Sequence, residues 1–165
     1  MNALADLMLN ALKLIFPAYC ANAAPVLFGG GLPLDLGKNF YDGKPIFGKN
    51  KTFRGFFSGL AVGTIVGIAE SMFFKYPIYF GFLLSLGALI GDLAGAFLKR
   101  RMGIPPGGAL PIVDQLDFVV GALVLCIPLN MLFLELVIAV LAITPPLHLL
   151  TNFIAYKMGL KNAPW

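Results

Sequence analysis

Three aspartates and a run of basic residues are the strongest candidates for catalytic or ligand-binding side chains in this sequence. Asp92 lies inside an apolar stretch, about two helical turns before the basic run 99–101. The Gly- and Pro-rich segment 103–108 then leads to Asp114 and Asp117, which stand three residues apart at a predicted helix start and project to the same side. Magnesium binds through a few carboxylates plus substrate phosphates, and basic side chains neutralise the other phosphate oxygens. These residue types predict a metal–phosphate site, with Asp92, Asp114 and Asp117 as ligands of one or two Mg²⁺ ions.

Two of these carboxylates also have a structural interpretation. A charge at the depth of Asp92 costs roughly a few kcal/mol unless it is paired or faces water, so Asp92 could form an ion pair with a neighbouring basic side chain. Asp114 could be an ordinary helix N-cap. A cap does not explain both Asp114 and Asp117 together with Asp92, and both interpretations stay open at this point.

A second set of polar residues precedes the second apolar stretch. Thr52 is a predicted N-cap, and backbone N–H groups at such a helix start favour an anion. The alternative for each lysine is simple anchoring to anionic lipid. The spacing of glycine, lysine and threonine does not match a Walker A motif. The candidate anion-binding residues are Lys38, Asn39, Lys49, Lys51, Thr52 and Arg54.

The elements that must position these residues are membrane helices. The 165-residue chain is 59% hydrophobic and only 12% charged, whereas an ordinary soluble domain has about a quarter of its residues charged. A helical span needs about 20 predominantly apolar residues. We therefore predict an all-α integral membrane protein, with residues 1–165 as a single transmembrane catalytic domain. The five predicted spans are 4–28, 53–74, 77–98, 115–129 and 132–156.

The distribution of positive charge predicts the orientation. Lysine and arginine are concentrated in the predicted loops 29–52 and 99–114 and in the C-terminal tail, and the other side has only Lys75 and the N-terminus. The positive-inside rule then places the N-terminus outside and the C-terminus in the cytoplasm. An odd number of spans satisfies this bias at every loop. We therefore expect a multi-pass cell-membrane protein whose polar site faces the cytoplasm.

Two predicted helices carry glycine at every fourth position. A four-residue spacing keeps these glycines on nearly one face, where helix backbones can approach closely. The favoured interpretation is tight helix packing, and the alternative is a shallow groove for a lipid tail. The glycines are Gly55, Gly59, Gly63 and Gly67 in the second helix and Gly87, Gly91 and Gly95 in the third.

The remaining polar residues are assigned no chemistry. His148 is the only histidine, and a lone histidine does not make a metal site. Glu70 and Lys75 lie near the outer end of the second span and are interpreted as interfacial side chains. Cys20 and Cys126 lie in apolar stretches and are interpreted as small lipid- or core-facing side chains rather than a disulfide or a metal pair.

Several segments of the chain resemble a known family. Segments 91–93, 97–104 and 111–118 read GDL, FLKRRMGI and PIVDQLDF, and segments 42–44 and 47–55 read DGK and FGKNKTFRG. Together with the five-span layout, they closely resemble the archaeal CDP-archaeol synthases, which are related to the CTP-dependent phosphatidate cytidylyltransferases. The chain departs from the bacterial and eukaryotic relatives at Gln115, where those have arginine, and at Arg54, where they have glutamate. Both departures point to the archaeal branch.

The resemblance implies a reaction and a set of roles. CTP would react with the isoprenoid ether lipid 2,3-di-O-geranylgeranylglycerol 1-phosphate to give a CDP-activated lipid and pyrophosphate. Asp92, Asp114 and Asp117 would bind Mg²⁺ and act in catalysis with Lys99. The implied phosphate- and substrate-binding residues are Lys38, Asn39, Lys49, Lys51, Thr52, Arg54, Arg100, Arg101 and Gln115.

The expected partners are CTP, the lipid phosphate and membrane lipids, without nucleic acid, and the oligomeric state is open. One alternative is a CTP-dependent polyprenol or phytol kinase, which would transfer the γ-phosphoryl group instead. Another is a small transporter whose Asp92 binds a coupling ion. Product analysis separates the two enzymes, since one releases pyrophosphate and the other CDP.

Overall fold

The computed structural model describes residues 3–161 and contains five α-helices. A short 3₁₀ helix, Ile127–Leu129, follows the fourth of them. Within residues 3–161 there is no β-sheet, and the only strand-like pairings are two isolated bridges in loop 29–52. The prediction of an all-α fold with five helices is confirmed. The single domain predicted over 1–165 extends beyond the described residues at both ends and stays a prediction. The helices are α1 (Ala3–Phe28), α2 (Phe53–Phe74), α3 (Phe80–Arg101), α4 (Val113–Cys126) and α5 (Leu134–Lys157).

The helix boundaries follow the predicted spans closely at the start of the chain and less closely after it. Helices α1 and α2 match the predictions to within one residue. Helix α3 begins at Phe80 and continues to Arg101, so the basic run forms its last turn. The weak break expected near Pro128 and Asn130 is real, because the chain forms the 3₁₀ helix there and Asn130 adopts a left-handed conformation with φ 52°.

Four of the five helices are long and apolar enough to cross a membrane, and α4 is the exception. Its 14 residues extend about 21 Å at 1.5 Å per residue, less than the roughly 30 Å of a hydrocarbon core. Helices α3 and α5 nevertheless end at the same end of the bundle. Helix α4 and the segment after it must therefore carry the chain to the opposite end, where α5 begins.

The hydrophobic core lies where α1, α3, α4 and α5 meet. A hydrogen bond of 2.9 Å between the Tyr19 and Thr144 hydroxyls joins α1 to α5 beside this core. Helix α2 contributes no large side chain to it. The largest fully buried side chains of the core are Leu14, Ile15, Phe80, Leu84, Phe118, Val119 and Val140.

Helix α2 packs through its glycines and exposes its large side chains. Its buried residues are Gly55, Gly59, Gly63 and Gly67. A Cβ added to Gly59 or Gly63 would collide with the backbone of α1, and one added to Gly67 would overlap Gly81 of α3. Large side chains such as Phe57, Ile65 and Met72 are 61%, 66% and 81% exposed. This arrangement suits a helix that packs by close backbone contact and faces lipid on its other side. The packing interpretation of the glycine spacing is confirmed for α2.

The basic segments meet at one end of the bundle, here called the cavity end. Loop 29–52 contacts the end of α3 there, since Lys44 Nζ donates a hydrogen bond of 2.8 Å to the Arg101 carbonyl. The beginning of α4 is joined to α3 by the Lys99–Asp114 ion pair. The segment after α5 also reaches this end, where Leu160 and Lys161 line a cavity.

We expect Gly67→Ala to lower the free energy of unfolding by about 1–3 kcal/mol, because its methyl group would force α2 away from α3. Thermal unfolding of the purified protein in detergent measures this change. The control is Ala69→Val, which adds bulk on an exposed face of α2 and should cost no more than roughly 0.5–1 kcal/mol. Equal stability of Gly67→Ala and the unchanged protein would contradict the packing.

Candidate active site

A cavity of about 590 Å³ opens at the cavity end of the bundle. Its walls come from loop 29–52, from α3, from α4 and the loop before it, and from α1 and α5. The three predicted metal-binding carboxylates, Asp92, Asp114 and Asp117, all line it. The structure therefore brings together the carboxylates that the sequence places on two separate helices. The basic and polar residues of the predicted site that line the same cavity are Lys49, Lys51, Thr52, Lys99 and Arg100.

Asp117 is held directly against α3 because α3 has no side chains at the contact. A Cβ on Gly95 would overlap the Asp117 carboxylate, and one on Gly91 would overlap the Asp117 backbone carbonyl. Asp117 Oδ1 also accepts a hydrogen bond of 2.6 Å from the backbone N–H of Phe118. Asp92 is close enough to act electrostatically on Asp117. The two glycines thus bring the carboxylate of α4 beside that of α3.

Two lysines are paired with the other cavity carboxylates. Lys51 Nζ lies 2.6 Å from both oxygens of Asp92, and Lys99 Nζ lies 2.7 Å from Asp114 Oδ1. The side chains of these pairs are between 16% and 28% exposed, so they are partly accessible from the cavity. The ion pair considered for Asp92 is therefore present, with a partner from loop 29–52. Such a pair does not exclude a ligand site, because partly exposed pairs are weak enough to exchange partners.

Arg100 is a buried cation, and two of its donor atoms have no hydrogen-bond acceptor within residues 3–161. The residue is 4% exposed, and within residues 3–161 its Nε and Nη1 atoms have no hydrogen-bond partner. A buried charged donor without an acceptor is costly. Gly48 has φ +93°, and a Cβ there would lie 2.9 Å from Pro106 Cγ, so the glycine lets loop 29–52 pack against the loop before α4 beside Arg100. Because Arg100 lines the cavity, an anion there could supply the missing acceptors.

The third basic residue of the run faces away from the cavity. Arg101 Nη1 lies 2.7 Å from Asp42 Oδ1, and its guanidinium also donates to the Lys44 and Pro45 carbonyls. The same group lies over the Phe97 ring, 4.7 Å from its centroid. Consecutive helical residues point in different directions, so Lys99 and Arg100 reach the cavity while Arg101 fastens loop 29–52 to α3.

Asp35 stabilises the conformation of loop 29–52, and no sequence pattern pointed to this residue. It is 6% exposed and accepts hydrogen bonds from the backbone N–H groups of Gly37, Phe47 and Gly48, at 3.0, 3.0 and 2.7 Å. Burial raises the pKa of Asp35, but these backbone donors outweigh it and the pKa lies below its ordinary value. The loop conformation that presents Lys49 to the cavity therefore depends on an ionised Asp35.

Two helix starts test the capping interpretations. Thr52 is the N-cap of α2, as predicted, and its hydroxyl accepts a hydrogen bond of 3.1 Å from the Gly55 N–H. Asp114 is not the N-cap of α4, because that position is Ile112. Asp114 lies in the first turn, where its Oδ2 accepts a hydrogen bond of 2.9 Å from the Leu110 N–H. It therefore fixes the loop before α4 rather than capping the helix.

The other predicted substrate-binding residues lie outside the cavity lining. Lys38 and Asn39 are exposed in loop 29–52, and Arg54 is exposed in the first turn of α2. Gln115 is half-buried in the first turn of α4. The structure does not bring these four residues together with the carboxylates, and their roles stay predictions.

An apolar groove runs between α3 and α4 and reaches the cavity. It has a volume of about 540 Å³. Asp117 lines both the groove and the polar cavity, so the two spaces meet at this carboxylate. The large side chains along the groove are Ile90, Leu98, Ile112, Val113, Leu116, Val120, Val124 and Leu125.

The chain matches known proteins over nearly its whole length. A family model described as CarS-like, CDP-archaeol synthase, matches residues 4–165. The CDP-archaeol synthases of Pyrococcus furiosus and Pyrococcus abyssi are 44% and 47% identical, over 96% and 92% of this chain and 98% and 94% of theirs. A solved structure of an intramembrane enzyme for archaeal membrane lipid biosynthesis is 38% identical, with a TM-score of 0.82 over 88% of this chain and 94% of that chain.

The chain belongs to the CDP-archaeol synthase family. It is accordingly a multi-pass membrane enzyme and a CTP-dependent nucleotidyltransferase of archaeal lipid synthesis. This favours nucleotidyl transfer over the alternatives of a lipid kinase and an ion-coupled transporter.

The donor set of this CDP-archaeol synthase family member fits a metal site that is completed by substrate. Within residues 3–161, no three His, Cys, Asp or Glu side chains are grouped tightly enough to hold a metal ion by themselves. Asp92 and Asp114 form ion pairs with lysines, and Asp117 lines both the cavity and the groove. Mg²⁺ usually takes one or two carboxylates and completes its shell with phosphates and water, so it does not need a prebuilt cage.

Sequence reasoning missed the contribution of α5 and of the segment after it. His148, Asn152 and Lys161 line the cavity, as does Asn22 of α1. The four-residue spacing of His148 and Asn152 places both on one face of α5, and this was the available signal. The sequence could not show which neighbour that face meets.

We expect Asp35→Asn to loosen loop 29–52, because a neutral amide cannot accept the three backbone donors as a carboxylate does. Since the folded-state pKa is lowered, the stabilisation is present above the ordinary carboxyl pKa and is lost as pH falls through the folded pKa. Trypsin cleavage after the lysines of this loop, followed by mass spectrometry, measures the loosening. Glu135→Gln is the matched control on an exposed side chain. Equal cleavage rates for both variants and the unchanged protein would show that Asp35 does not hold the loop.

Proposed function

We propose that the enzyme transfers the cytidylyl group of CTP to 2,3-di-O-geranylgeranylglycerol 1-phosphate in the presence of Mg²⁺. The products are the unsaturated CDP-archaeol and pyrophosphate. Family membership supports the reaction class, and the geometry of the cavity supports the choice of substrates.

The observation that carries this proposal is the meeting of the polar cavity and the apolar groove at Asp117. A lipid phosphate has a charged head and apolar tails, so its site must join two such spaces. The groove is bounded by the large apolar side chains of α3 and α4 and suits an isoprenoid chain. The head group then lies beside Asp117, next to the nucleotide.

Arg100, Lys51 and Lys99 are the cations that meet the phosphates. Arg100 brings buried donors that have no acceptor within the described part of the chain. Lys51 and Lys99 are each held at the cavity by a carboxylate. When a nucleotide binds with its metal, each lysine would contact phosphate oxygens and each carboxylate would contact the metal cation. The ion pairs would then exchange partners, and no buried charge would be left uncompensated.

Asp92 and Asp117, with Asp114, are the residues that would hold Mg²⁺. When bound, the metal would neutralise charge on the phosphate oxygens and orient the triphosphate. We propose one or two Mg²⁺ ions, which these carboxylates and the substrate phosphates would share.

The reaction itself needs little from the protein beyond positioning and charge. An oxygen of the lipid phosphate attacks the α-phosphorus of CTP, and a new P–O bond forms there. The bond between the α-phosphorus and the bridging oxygen to the β-phosphate breaks, and its electron pair leaves with pyrophosphate. The nucleophile is already an anion, so no general base is required. Arg100 and Lys99 then serve to stabilise the charge that moves onto pyrophosphate.

The orientation of the enzyme is part of the same proposal. CTP is a cytosolic nucleotide, and the cavity opens at the end of the bundle where the basic segments gather. The positive-inside rule places that end in the cytoplasm, with the N-terminus outside.

The test supplies purified enzyme with α-labelled CTP, Mg²⁺ and the geranylgeranyl lipid phosphate. Label in the lipid fraction together with released pyrophosphate is the expected result, and chelation of the divalent metal should abolish both. Release of CDP with an unlabelled lipid would instead indicate a kinase. No labelled lipid with any divalent metal would refute the proposal.

We expect Asp117→Asn to lower kcat by roughly 10²–10³-fold while the protein stays folded, because the amide keeps the shape but loses the charge needed beside the reacting phosphates. The measurement is turnover in this assay, with thermal unfolding as the check on folding. Asp6→Asn in the first turn of α1 lies outside the cavity and should leave turnover unchanged. Near-normal turnover of Asp117→Asn would return this carboxylate to a structural role.

A further inference from the structure

The chain turns back sharply after α5 and returns to the cavity. Gly159 has φ +73°, and its N–H donates a hydrogen bond of 3.0 Å to the Tyr156 carbonyl. The Leu160 N–H donates a hydrogen bond of 2.9 Å to the Ala155 carbonyl. These two hydrogen bonds and the left-handed glycine form a Schellman motif, which ends a helix and reverses the chain. The residue that follows is Lys161, and it lies against α5 instead of pointing away from the bundle.

Lys161 lines the same cavity as the catalytic carboxylates. Its Nζ donates a hydrogen bond of 3.0 Å to Oδ1 of Asn152, which lies nine residues earlier in the chain on α5. Burial lowers the pKa of Lys161, the positive charges of Lys51 and Lys99 act in the same direction, and Asp114 and Asp92 oppose them. Lys161 is therefore near the residues that come from loop 29–52, α3 and α4.

The hydrogen bonds behind Lys161 fix the orientation of two further side chains. An ammonium group only donates, so it must face the Oδ1 atom of Asn152. The Nδ2 atom of the same amide then donates to His148 Nδ1, 3.2 Å away. His148 must accept at Nδ1 and is the neutral tautomer that carries its proton on Nε2. Its ring packs 5.8 Å from the ring of Phe118, the residue after Asp117.

We propose that Lys161 binds a phosphate group of a substrate in the cavity and that Asn152 and His148 position it. The inference rests on the proposed function, because it assigns a further phosphate contact at that site. Phosphate could belong to the nucleotide or to the lipid head group, and both have the chemistry that an ammonium group recognises. The C-terminal segment is then a wall of the active site, whereas from the sequence alone this tail served only to predict the orientation in the membrane.

The position of Lys161 gives the cavity cations from three separate parts of the chain. Lys51 comes from loop 29–52, Lys99 and Arg100 come from α3, and Lys161 comes from the segment beyond α5. A triphosphate with its attacking lipid phosphate carries several charges along its length. A set of cations spread over three walls suits that distribution better than one basic run would.

The test compares Lys161→Met, Lys161→Arg and Asn152→Leu in the full-length enzyme, with KM measured for CTP and for the lipid phosphate separately. Loss of one charge-assisted hydrogen bond corresponds to roughly a 10- to 100-fold effect. We expect Lys161→Met to raise one of the two KM values by about this factor, with a much smaller change in kcat. The substrate whose KM rises identifies the source of the phosphate, and Lys161→Arg should restore part of the affinity.

The positioning role of Asn152 has its own readout. Asn152→Leu should raise the same KM as Lys161→Met, and the double variant should be no worse than Lys161→Met alone. Lys157→Met is the matched control, because Lys157 lies over the Phe153 ring in the last turn of α5 and does not line the cavity. Independent, additive effects of Asn152→Leu and Lys161→Met would overturn the positioning role.

Unchanged KM values for both substrates in folded Lys161→Met would overturn the phosphate contact. Failure of the proposed function is distinguishable, because the unchanged enzyme would then make no labelled lipid. In that case, titration calorimetry with pyrophosphate still tests whether Lys161 contacts a phosphate group. Weaker binding to Lys161→Met than to Lys157→Met supports the contact, and equal binding overturns it.

Discussion

The close approach of α3 and α4 determines where the carboxylates of the cavity lie. Gly87, Gly91 and Gly95 leave one face of α3 without side chains, and backbone and carboxylate atoms of α4 occupy that space. A bilayer offers no hydrophobic driving force between helices, so such contact is what holds them together. It also decides where Asp117 lies. The same glycines that pack the helices therefore set the distance between the carboxylates of the site.

A charged cavity at the end of an apolar bundle must keep its charges compensated before substrate arrives. Lys51 with Asp92 and Lys99 with Asp114 do this within the protein. Each pair holds together one group suited to phosphate and one suited to a metal cation. In the proposed complex both groups find new partners in the nucleotide and its metal, so the free and bound states are each electrostatically balanced. Arg100 has buried donors without a partner within residues 3–161, and in the proposed complex the phosphates would supply their acceptors.

The sequence predicted what depends on local chemistry and missed what depends on packing. Apolar length and charge placement identified the five helices. The sequence also predicted that the three aspartates converge, as they do at the cavity, while their role in binding metal stays a prediction. It could not show that Arg101 would turn away from the cavity, because that depends on where Asp42 lies. It also gave no chemistry to His148 or Lys161, since their place in the cavity depends on the face that α5 presents and on the chain reversal after it. The end of α4 was predicted too far along the chain because the 3₁₀ helix there remains apolar.

Glycine contact between α3 and α4 positions the carboxylate of Asp117 at the cavity. Turnover of Gly95→Ala against Gly87→Ala tests it most directly, each normalised to the folded fraction. Both methyl groups would press on α4, but only the one at residue 95 would overlap the Asp117 carboxylate. We expect Gly95→Ala to lower kcat by at least about 10-fold more than Gly87→Ala, since misplacement of a catalytic group by about 1 Å can cost roughly 10²-fold. Equal kcat values for the two folded variants would contradict it.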